Sequence, residues 1–213
     1  MNSRTASITA LLFDWDGTVV DSAQLGLIAF QKSFAALGLE FFPATYETAY
    51  SPNWYSLYEA MGLPQEKWTQ ADELWIQHYG EQTATPIAGA VDTIRELHDK
   101  GYVLGVVSSG SDCRINREIE ELGFGSIFQT VVCNEQMEHK KPHPEGLETA
   151  IGRLNLSRAQ CCYVGDSPED LEMGRSAGVM TVGVRSSYPT SWKLSAAKPD
   201  IYLELVAELT KHF

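Results

Sequence analysis

Cysteine, positive charge and long apolar runs are all scarce in this chain of 213 residues. The cysteines number four and show no C-x-x-C spacing, so the sequence lacks a common signature of zinc and redox sites. Small buried thiols in a reducing cytosol are the simplest interpretation. The four are Cys113, Cys133, Cys161 and Cys162.

The apolar runs are too short to cross a membrane, because a spanning helix needs about 20 apolar residues. The run that follows Arg4 ends at Asp14, which is not the form of a signal peptide. The composition, 44% apolar and 21% charged, is that of a globular protein. We therefore expect a cytoplasmic protein that has no membrane partner.

Positive charge is limited to 16 lysines and arginines against 28 acidic residues, which gives a net charge of −12 at pH 7. A protein with this charge attracts neither nucleic acid nor anionic membranes. We expect no nucleic-acid partner, and any negatively charged ligand must be bound by a local group of donors and cations.

Short apolar runs recur along the chain and are typical of strands that are buried on both faces. Helical patterns lie between them, and two of these patterns end at Gly101 and Gly123, where a glycine can cap a helix. The alternation predicts an α/β fold with a Rossmann-like parallel sheet. The five runs are residues 8–13, 102–109, 128–133, 161–165 and 180–184.

Residues 22–85 interrupt this alternation, because they contain helical patterns and no strand run. A loop of this length inside a compact sheet is improbable, so we expect an inserted all-helical domain. Residues 1–21 and 86–213 would then form the α/β core domain. The insert holds twelve of the 22 aromatic residues, which are expected to form mainly its own core.

Two carboxylates end the first apolar run, in the segment "LLFDWDGTVVDS" at residues 11–22. Asp14 and Asp16 follow a predicted strand, and ligands of open parallel sheets bind at that edge. An EF-hand loop that began at Asp14 would need Gly and Glu where the chain has Val19 and Leu25. A calcium loop is therefore excluded, which leaves a reactive pair or a solvated turn.

A second strand end carries acidic residues in "YVGDSPED". Asp166 follows the strand run and Asp170 comes four residues later. If Asp166 meets Asp14 across the sheet, the two carboxylates form a hard oxygen site that suits Mg²⁺. On its own, the segment could equally be a turn and a helix cap at Ser167.

Two further segments offer groups that bind phosphate. In "VVSSGSD", Ser108 and Ser109 end a strand and precede Gly110 and a helix, an arrangement that can bind phosphate through hydroxyl and backbone donors. In "EHKKPHPEG", Lys140 and Lys141 lie in a proline-rich loop. Each segment taken singly could also be an ordinary solvated loop.

The segments "DWDGT", "VVSS", "KKPHPE" and "GDSPED" follow one another in this order and together resemble the four motifs of the haloacid dehalogenase superfamily. The helical insert directly after the first motif is similar to the C1-type cap of the phosphoglycolate phosphatase and β-phosphoglucomutase branch. The resemblance covers nearly the whole chain, and its first and fourth motifs are the specific ones.

The resemblance implies phosphoryl transfer through an aspartyl-phosphate. Asp14 would be the nucleophile, and Asp16 would first protonate the leaving group and then activate water. Ser108 and Lys141 would bind the phosphoryl oxygens, with Ser109 beside them. Lys141 is chosen because the K-P-x-P spacing matches it, but Lys140 remains an alternative.

The resemblance also implies a Mg²⁺ cofactor. Its ligands would be the side chains of Asp14 and Asp166 and the backbone carbonyl of Asp16, with Asp170 in or near the coordination shell. Superfamily dehalogenases and phosphonatases lack a carboxylate at the position of Asp16, so its presence favours a phosphatase or a phosphomutase.

The cap has two lysines against seven acidic residues, a poor grip for the distal phosphate of a sugar bisphosphate. We therefore expect hydrolysis of a small phosphorylated metabolite. A sugar phosphomutase and a non-catalytic binding protein remain alternatives. Within "YSPNWYS", Asn53 and Trp54 are candidate substrate contacts, although packing in the cap core explains this segment equally well.

Overall fold

A six-stranded sheet lies at the centre of the structure, a computed structural model that describes residues 8–80 and 83–213. Its strands run in the order β5-β4-β1-β6-β7-β8, and every neighbouring pair is parallel. The strands of this sheet are β1 (Ala10–Phe13), β4 (Val103–Val107), β5 (Phe128–Val132), β6 (Cys161–Gly165), β7 (Met180–Val184) and β8 (Ile201–Leu203). Two short strands, β2 (Val20–Asp21) and β3 (Thr85–Pro86), form a separate pair. This architecture confirms the predicted Rossmann-like α/β class.

Eight α-helices accompany the strands within residues 8–80 and 83–213. The predicted helix ends at Gly101 and Gly123 are confirmed, since both glycines adopt the positive φ that favours glycine. The edge strand β8 was not predicted, because three residues do not form a recognisable apolar run. The helices are α1 (Ala23–Ala36), α2 (Pro43–Ala49), α3 (Trp54–Ala60), α4 (Trp68–Tyr79), α5 (Ala90–Asp99), α6 (Asp112–Glu121), α7 (Glu145–Leu154) and α8 (Pro168–Ala177).

Helices cover both faces of the sheet. The side chains of β1 alternate between two apolar clusters: Leu11 and Phe13 join the cluster with α5 and α6, and Leu12 joins the cluster with α7 and α8. All four residues of β1 are fully buried. This burial on both faces explains why the strand reads as a continuous apolar run.

The four helices α1–α4 form a separate aromatic cluster, which includes Phe30, Phe34 and Tyr58. The two chain segments that lead into and out of these helices lie side by side, because β2 pairs with β3 in antiparallel register. The antiparallel pair of β2 and β3 lies at the predicted border between insert and core. The division into two domains remains a prediction.

Two expectations from composition can be compared with the structure. Cys133, Cys161 and Cys162 are buried free thiols, whereas Cys113 on α6 is exposed, so the expectation of burial was wrong for that residue. In the described part of the chain, every helix is too short or too polar to span a membrane.

Candidate active site

The carboxyl ends of three adjacent strands, β4, β1 and β6, lie together at one edge of the sheet. The sheet neighbours of β1 are β4 and β6, so the residues that follow these strands share one edge. Asp14, Ser108 and Asp166 occupy these positions. The backbone N–H of Asp14 donates to the carbonyl of Val164 at 2.8 Å, and that of Ser108 donates to the carbonyl of Val132 at 2.9 Å. The sheet pairing thus continues to the first residue of the site.

Three carboxylates meet at this edge. Asp14, Asp166 and Asp170 each place an oxygen within 4.8 Å of the others, and all three side chains are buried. Lys141 lies among them, 1% exposed, and its Nζ donates to Oδ1 of Asp14 at 2.7 Å and to Oδ1 of Asp170 at 2.8 Å. One ammonium therefore faces three carboxylates, which leaves an excess of negative charge.

The pKa values follow from this crowding. Burial raises the pKa of Asp14 to about 7, although Lys141 opposes the shift. Burial, followed by repulsion from Asp170 and Asp14, raises the pKa of Asp166 well above its ordinary value. Burial alone would lower the pKa of Lys141, but attraction to Asp14 and Asp170 raises it, so this lysine stays charged.

The oxygen set fits a hard divalent cation. The Asp166 carboxylate lies so close to Gly17 that a Cβ at position 17 would overlap it. This close approach, together with the positive φ, explains why the residue is a glycine. Three buried carboxylates with one lysine are under-compensated, and oxygen-only ligands are those that Mg²⁺ prefers. The chemistry of the cluster is thus compatible with the predicted metal.

Asp170 has a second task at the start of α8. Its Oδ2 accepts hydrogen bonds from the backbone N–H and the hydroxyl of Ser167, and its backbone N–H donates to that hydroxyl in return. Tyr163 also donates to Oδ1 of Asp170, at 3.3 Å. The structure thus brings Asp170 to the cluster mainly as a partner of Lys141 and as a capping residue.

The neighbouring lysine, Lys140, points away from the acidic cluster. Its Nζ donates to Oδ1 of Asn134 at 2.6 Å and lies 4.0 Å from the ring centroid of Trp54 and 4.9 Å from that of Tyr55. Of the two adjacent lysines, Lys141 is therefore the one beside Asp14, and Lys140 links the core to the helical insert.

The Asp16 side chain is turned toward a different partner. Arg114 of α6 donates from Nη2 to Oδ2 of Asp16 at 2.6 Å and from Nη1 to Oδ1 at 2.9 Å. Ser22 donates to the same Oδ1 at 2.7 Å. Burial by itself would raise the pKa of Asp16, but the guanidinium of Arg114 outweighs it and lowers that pKa.

The serine pair lines the same cavity as Asp14 and Lys141. The Ser108 hydroxyl is fully buried and accepts a hydrogen bond from the backbone N–H of Gly110 at 3.0 Å. The Ser109 hydroxyl is a buried oxygen that finds no partner within the described residues. Both hydroxyls can donate to an oxyanion that enters the cavity.

The helical insert forms the opposite wall. Tyr50, Trp54 and Trp75 line the cavity, but Asn53 lies outside this lining, in a shallow hollow with Tyr55 and the lysine loop. Asp72 of α4 fixes part of this wall. It accepts hydrogen bonds from Nε1 of Trp54, the Tyr55 hydroxyl and the Tyr58 hydroxyl, at 2.7, 3.1 and 3.0 Å.

Sequence reasoning missed Arg114 and its partner Glu118. The two are a buried i, i+4 pair on α6, on the side of the helix that also carries the buried Ile115 and Ile119. Charged residues among the apolar positions of an amphipathic helix were the available signal. Whether they reach Asp16 depends on how α6 is rotated, which the pattern alone does not give.

Comparison with known proteins identifies the family to which the chain is related. A sequence profile described as haloacid dehalogenase-like hydrolase matches residues 11–184. The pyrophosphatase PpaX of Listeria welshimeri is 30% identical over 212 residues, which covers 96% of each chain. PpaX of Bacillus velezensis is 28% identical and covers 95% of this chain and 94% of the relative.

Solved structures with the same fold include a predicted phosphoglycolate phosphatase from Haemophilus somnus. Its TM-score is 0.83 at 21% identity, and the match covers 96% of this chain and 97% of the other. CbbY from Rhodobacter sphaeroides, in complex with phosphate, has a TM-score of 0.80 at 22% identity, over 95% and 96% of the two chains.

The fold, the cluster at the sheet edge and the profile match define a hydrolase with a Rossmann-like α/β fold. The chain belongs to the haloacid dehalogenase-like hydrolase family, as its four ordered motifs predicted. Within that family it is an enzyme of the phosphatase kind.

Proposed function

We propose that this enzyme is a Mg²⁺-dependent phosphatase that hydrolyses a small phosphate monoester through a phosphorylated Asp14. The observation that supports it most is the position of Asp14, buried at a strand end, hydrogen-bonded to Lys141 and facing a cavity that Ser108 also lines. Phosphoryl transfer depends mainly on positioning and charge neutralisation. These residues supply the positioning, and Lys141 together with a bound Mg²⁺ would supply the neutralisation.

In the first half-reaction, an oxygen of Asp14 forms a bond to phosphorus while the bond from phosphorus to the leaving oxygen breaks. Oδ1 of Asp14 is hydrogen-bonded to Lys141, so Oδ2 is the oxygen available for attack. Asp16 enters this step protonated, gives its proton to the leaving oxygen and becomes the carboxylate that Arg114 stabilises. Ser108, Ser109 and Lys141 hold the equatorial oxygens of the transferring group.

In the second half-reaction, Asp16 takes a proton from a water molecule that attacks the phosphorus. The bond between phosphorus and Asp14 then breaks, which releases inorganic phosphate and restores the carboxylate. The ionised form of Asp16 that Arg114 stabilises is the form that can accept this proton.

The metal would be held by the side chains of Asp14 and Asp166, by the Asp16 backbone carbonyl, and by Asp170 if it exchanges one of its hydrogen bonds. When bound, Mg²⁺ would offset the charge of the carboxylates and of the phosphoryl group. The Asp16 carboxylate is engaged by Arg114 and Ser22, so its backbone carbonyl is the group left for this role.

The substrate is proposed to be small and phosphorylated. Pyrophosphate and phosphoglycolate belong on the test panel, because relatives and neighbours of similar fold carry those names. Xylulose bisphosphate, present in a CbbY complex, belongs there too. We further propose that the enzyme acts in the cytoplasm, in keeping with its free thiols, and without nucleic-acid or membrane partners.

The mutase alternative is less well supported by the cavity wall. Among the described residues that line it, those of the insert include Asp72 and no lysine or arginine. A sugar bisphosphate would need a cation there for its distal phosphate. Hydrolysis therefore remains the preferred proposal.

The proposal is tested by phosphate release from a panel of phosphorylated metabolites with and without Mg²⁺. We expect Mg²⁺-dependent release by the wild type and a loss of at least about 10³-fold in Asp14→Asn, which keeps the shape but removes the nucleophile. A folded wild type that releases phosphate from no compound would refute the proposal. Undiminished release by Asp14→Asn would refute the assignment of Asp14.

A further inference from the structure

The side chains of Asp16, Arg114, Glu118 and Trp15 form a closed ring of hydrogen bonds with the backbone between Trp15 and Asp16. The guanidinium of Arg114 binds both oxygens of Asp16 at 2.6 and 2.9 Å. Nη1 of Arg114 also donates to Oε2 of Glu118 at 3.3 Å, and that oxygen accepts a hydrogen bond from Nε1 of Trp15 at 2.7 Å. Trp15 precedes Asp16 in the chain, so the backbone closes the ring.

Asp16 and Arg114 line the cavity, and every member of the ring other than Asp16 is buried. Trp15, Glu118 and Arg114 are 0, 1 and 8% exposed. Arg114 and Glu118 are paired within the ring, although Nε of Arg114 and Oε1 of Glu118 find no hydrogen-bond partner among the described residues. Removing one member would therefore leave further buried charge uncompensated. The arrangement is therefore expected to keep one geometry.

Two neighbours restrict Arg114 further. Gly110 follows the serine pair, and a Cβ at this position would overlap Nη2 of Arg114, so glycine leaves the space through which the guanidinium reaches Asp16. On the other side, the ring of Tyr79 from α4 lies 4.7 Å from the guanidinium carbon. The loop, α6 and the insert thus converge on one arginine.

We propose that Arg114 is a positioning residue for Asp16, and that Glu118 and Trp15 in turn fix Arg114. An aspartate at a turn before glycine has several side-chain rotamers, and a two-point contact with a planar guanidinium selects one of them. Arg114 thus keeps the carboxylate of Asp16 at the cavity, where a leaving oxygen or a water molecule exchanges its proton. The inference rests on the proposed function of Asp16.

A double-mutant cycle tests whether Arg114 acts through Asp16. We expect Arg114→Met to lower kcat by about 10- to 100-fold, because a misplaced proton-transfer group loses this much. In an Asp16→Asn background the same substitution should change kcat by less than about 2-fold. If the two effects multiply instead, Arg114 acts independently of Asp16 and the proposal is wrong.

The split between kcat and KM separates positioning from substrate binding. We expect KM in Arg114→Met to stay within about 3-fold of the wild type for every substrate, since a guanidinium that is engaged by Asp16 and Glu118 and not by substrate adds no uniform binding. A rise in KM confined to substrates with a second anionic group would mean that Arg114 binds substrate, and would overturn the proposal.

Two variants control for charge and folding. Arg114→Lys keeps the charge and loses the two-point geometry, so it should recover only part of kcat. Arg95→Met removes an exposed arginine from α5, away from the ring, and should leave kcat unchanged. A full recovery by Arg114→Lys, or an equal loss in Arg95→Met, would contradict a role that depends on the guanidinium of Arg114.

A crystal structure of Arg114→Lys provides a readout that does not depend on turnover. The Asp16 carboxylate should leave its position or become disordered while Asp14 and Lys141 stay in place. An unmoved Asp16 would refute the positioning role even if no substrate is found. Conversely, if the wild type is inactive but Asp16 is displaced in the Arg114→Lys structure, the proposed function is refuted and the structural inference stays intact.

Discussion

Lys140 and Lys141 are neighbours in the chain, but their ammonium groups have different surroundings. Lys141 is enclosed by Asp14 and Asp170, while Lys140 lies over the ring of Trp54. Burial lowers the pKa of Lys140, although it too has acidic residues nearby. Lys140 can therefore serve as the control when a role in binding the phosphoryl group is tested for Lys141.

We expect Lys141→Met to lower kcat by about 10²- to 10³-fold, because the transferring phosphoryl group loses a fixed positive charge. Lys140→Met should lower kcat by less than about 10-fold, since it removes a hydrogen bond to Asn134 and a contact between core and insert but no group beside Asp14. Steady-state kinetics on one substrate check both variants, with thermal unfolding as the test of folding. Equal losses in the two would contradict the assignment of Lys141.

The raised pKa of Asp14, about 7 compared with an ordinary value of 3.8, predicts how pH affects the metal-free protein. Between these values the folded protein binds more protons than the unfolded chain, so rising pH lowers its stability. The slope is at most about 1.4 kcal/mol per pH unit for one such group. Thermal unfolding with EDTA should therefore show a melting temperature that falls from about pH 5 to pH 7.

Because Mg²⁺ competes with this proton and with that of Asp166, whose pKa is also raised, its affinity should rise with pH through about 7, with protons released on binding. Calorimetric titration in buffers of different ionisation enthalpy measures both quantities. An affinity that is the same at about pH 5.5 and pH 8 would mean that no carboxylate titrates in this range, contrary to the expectation for Asp14.

At the scale of elements, the helical insert contributes an aromatic wall that hydrogen bonds from α3 to α4 hold in place. Asp72 accepts from Trp54, Tyr55 and Tyr58, and it is buried enough that its pKa is raised. Contacts such as the stack of Tyr50 on Tyr188, with ring centroids 4.6 Å apart, join this wall to the core. We therefore expect selectivity among substrates to depend on how this wall is placed.

We expect Trp54→Ala to change the ranking of phosphate esters, because it opens the cavity wall and removes a hydrogen bond to Asp72. Asn53→Ala is the matched control, since Asn53 lies outside the lining. Relative kcat/KM across the panel should change by about 5-fold or more in the first variant and by less than 2-fold in the second. Similar changes in both would show that the wall is not the selective element.

The strand-end residues could be predicted from sequence because their geometry is nearly local. An apolar run that ends in Asp14, Ser108 or Asp166 indicates a strand and its last residue, and parallel strands bring such ends to one edge. Arg114 and Asp72 could not be predicted in this way. Their contacts depend on the rotation of α6 and on the packing of α3 against α4, which are set by tertiary contacts far apart in the chain.

For the whole molecule, a net charge of −12 opposes the approach of a phosphorylated substrate and attracts Mg²⁺. Raising the salt concentration from about 20 to 200 mM screens both effects. We expect kcat/KM to rise by about 2- to 5-fold at saturating Mg²⁺, while the affinity for Mg²⁺ falls. If kcat/KM falls over this range, the local site and not the overall charge controls encounter.

We propose above all that phosphate passes through a covalent bond to Asp14. The most direct measurement is to quench the enzyme with acid during turnover, reduce it with borohydride and map the product by peptide mass spectrometry. Because an acyl phosphate is reduced to an alcohol, the account predicts homoserine at position 14 in the wild type and none in Asp14→Asn. Phosphate release without a modified Asp14, or with modification of another carboxylate, would contradict it.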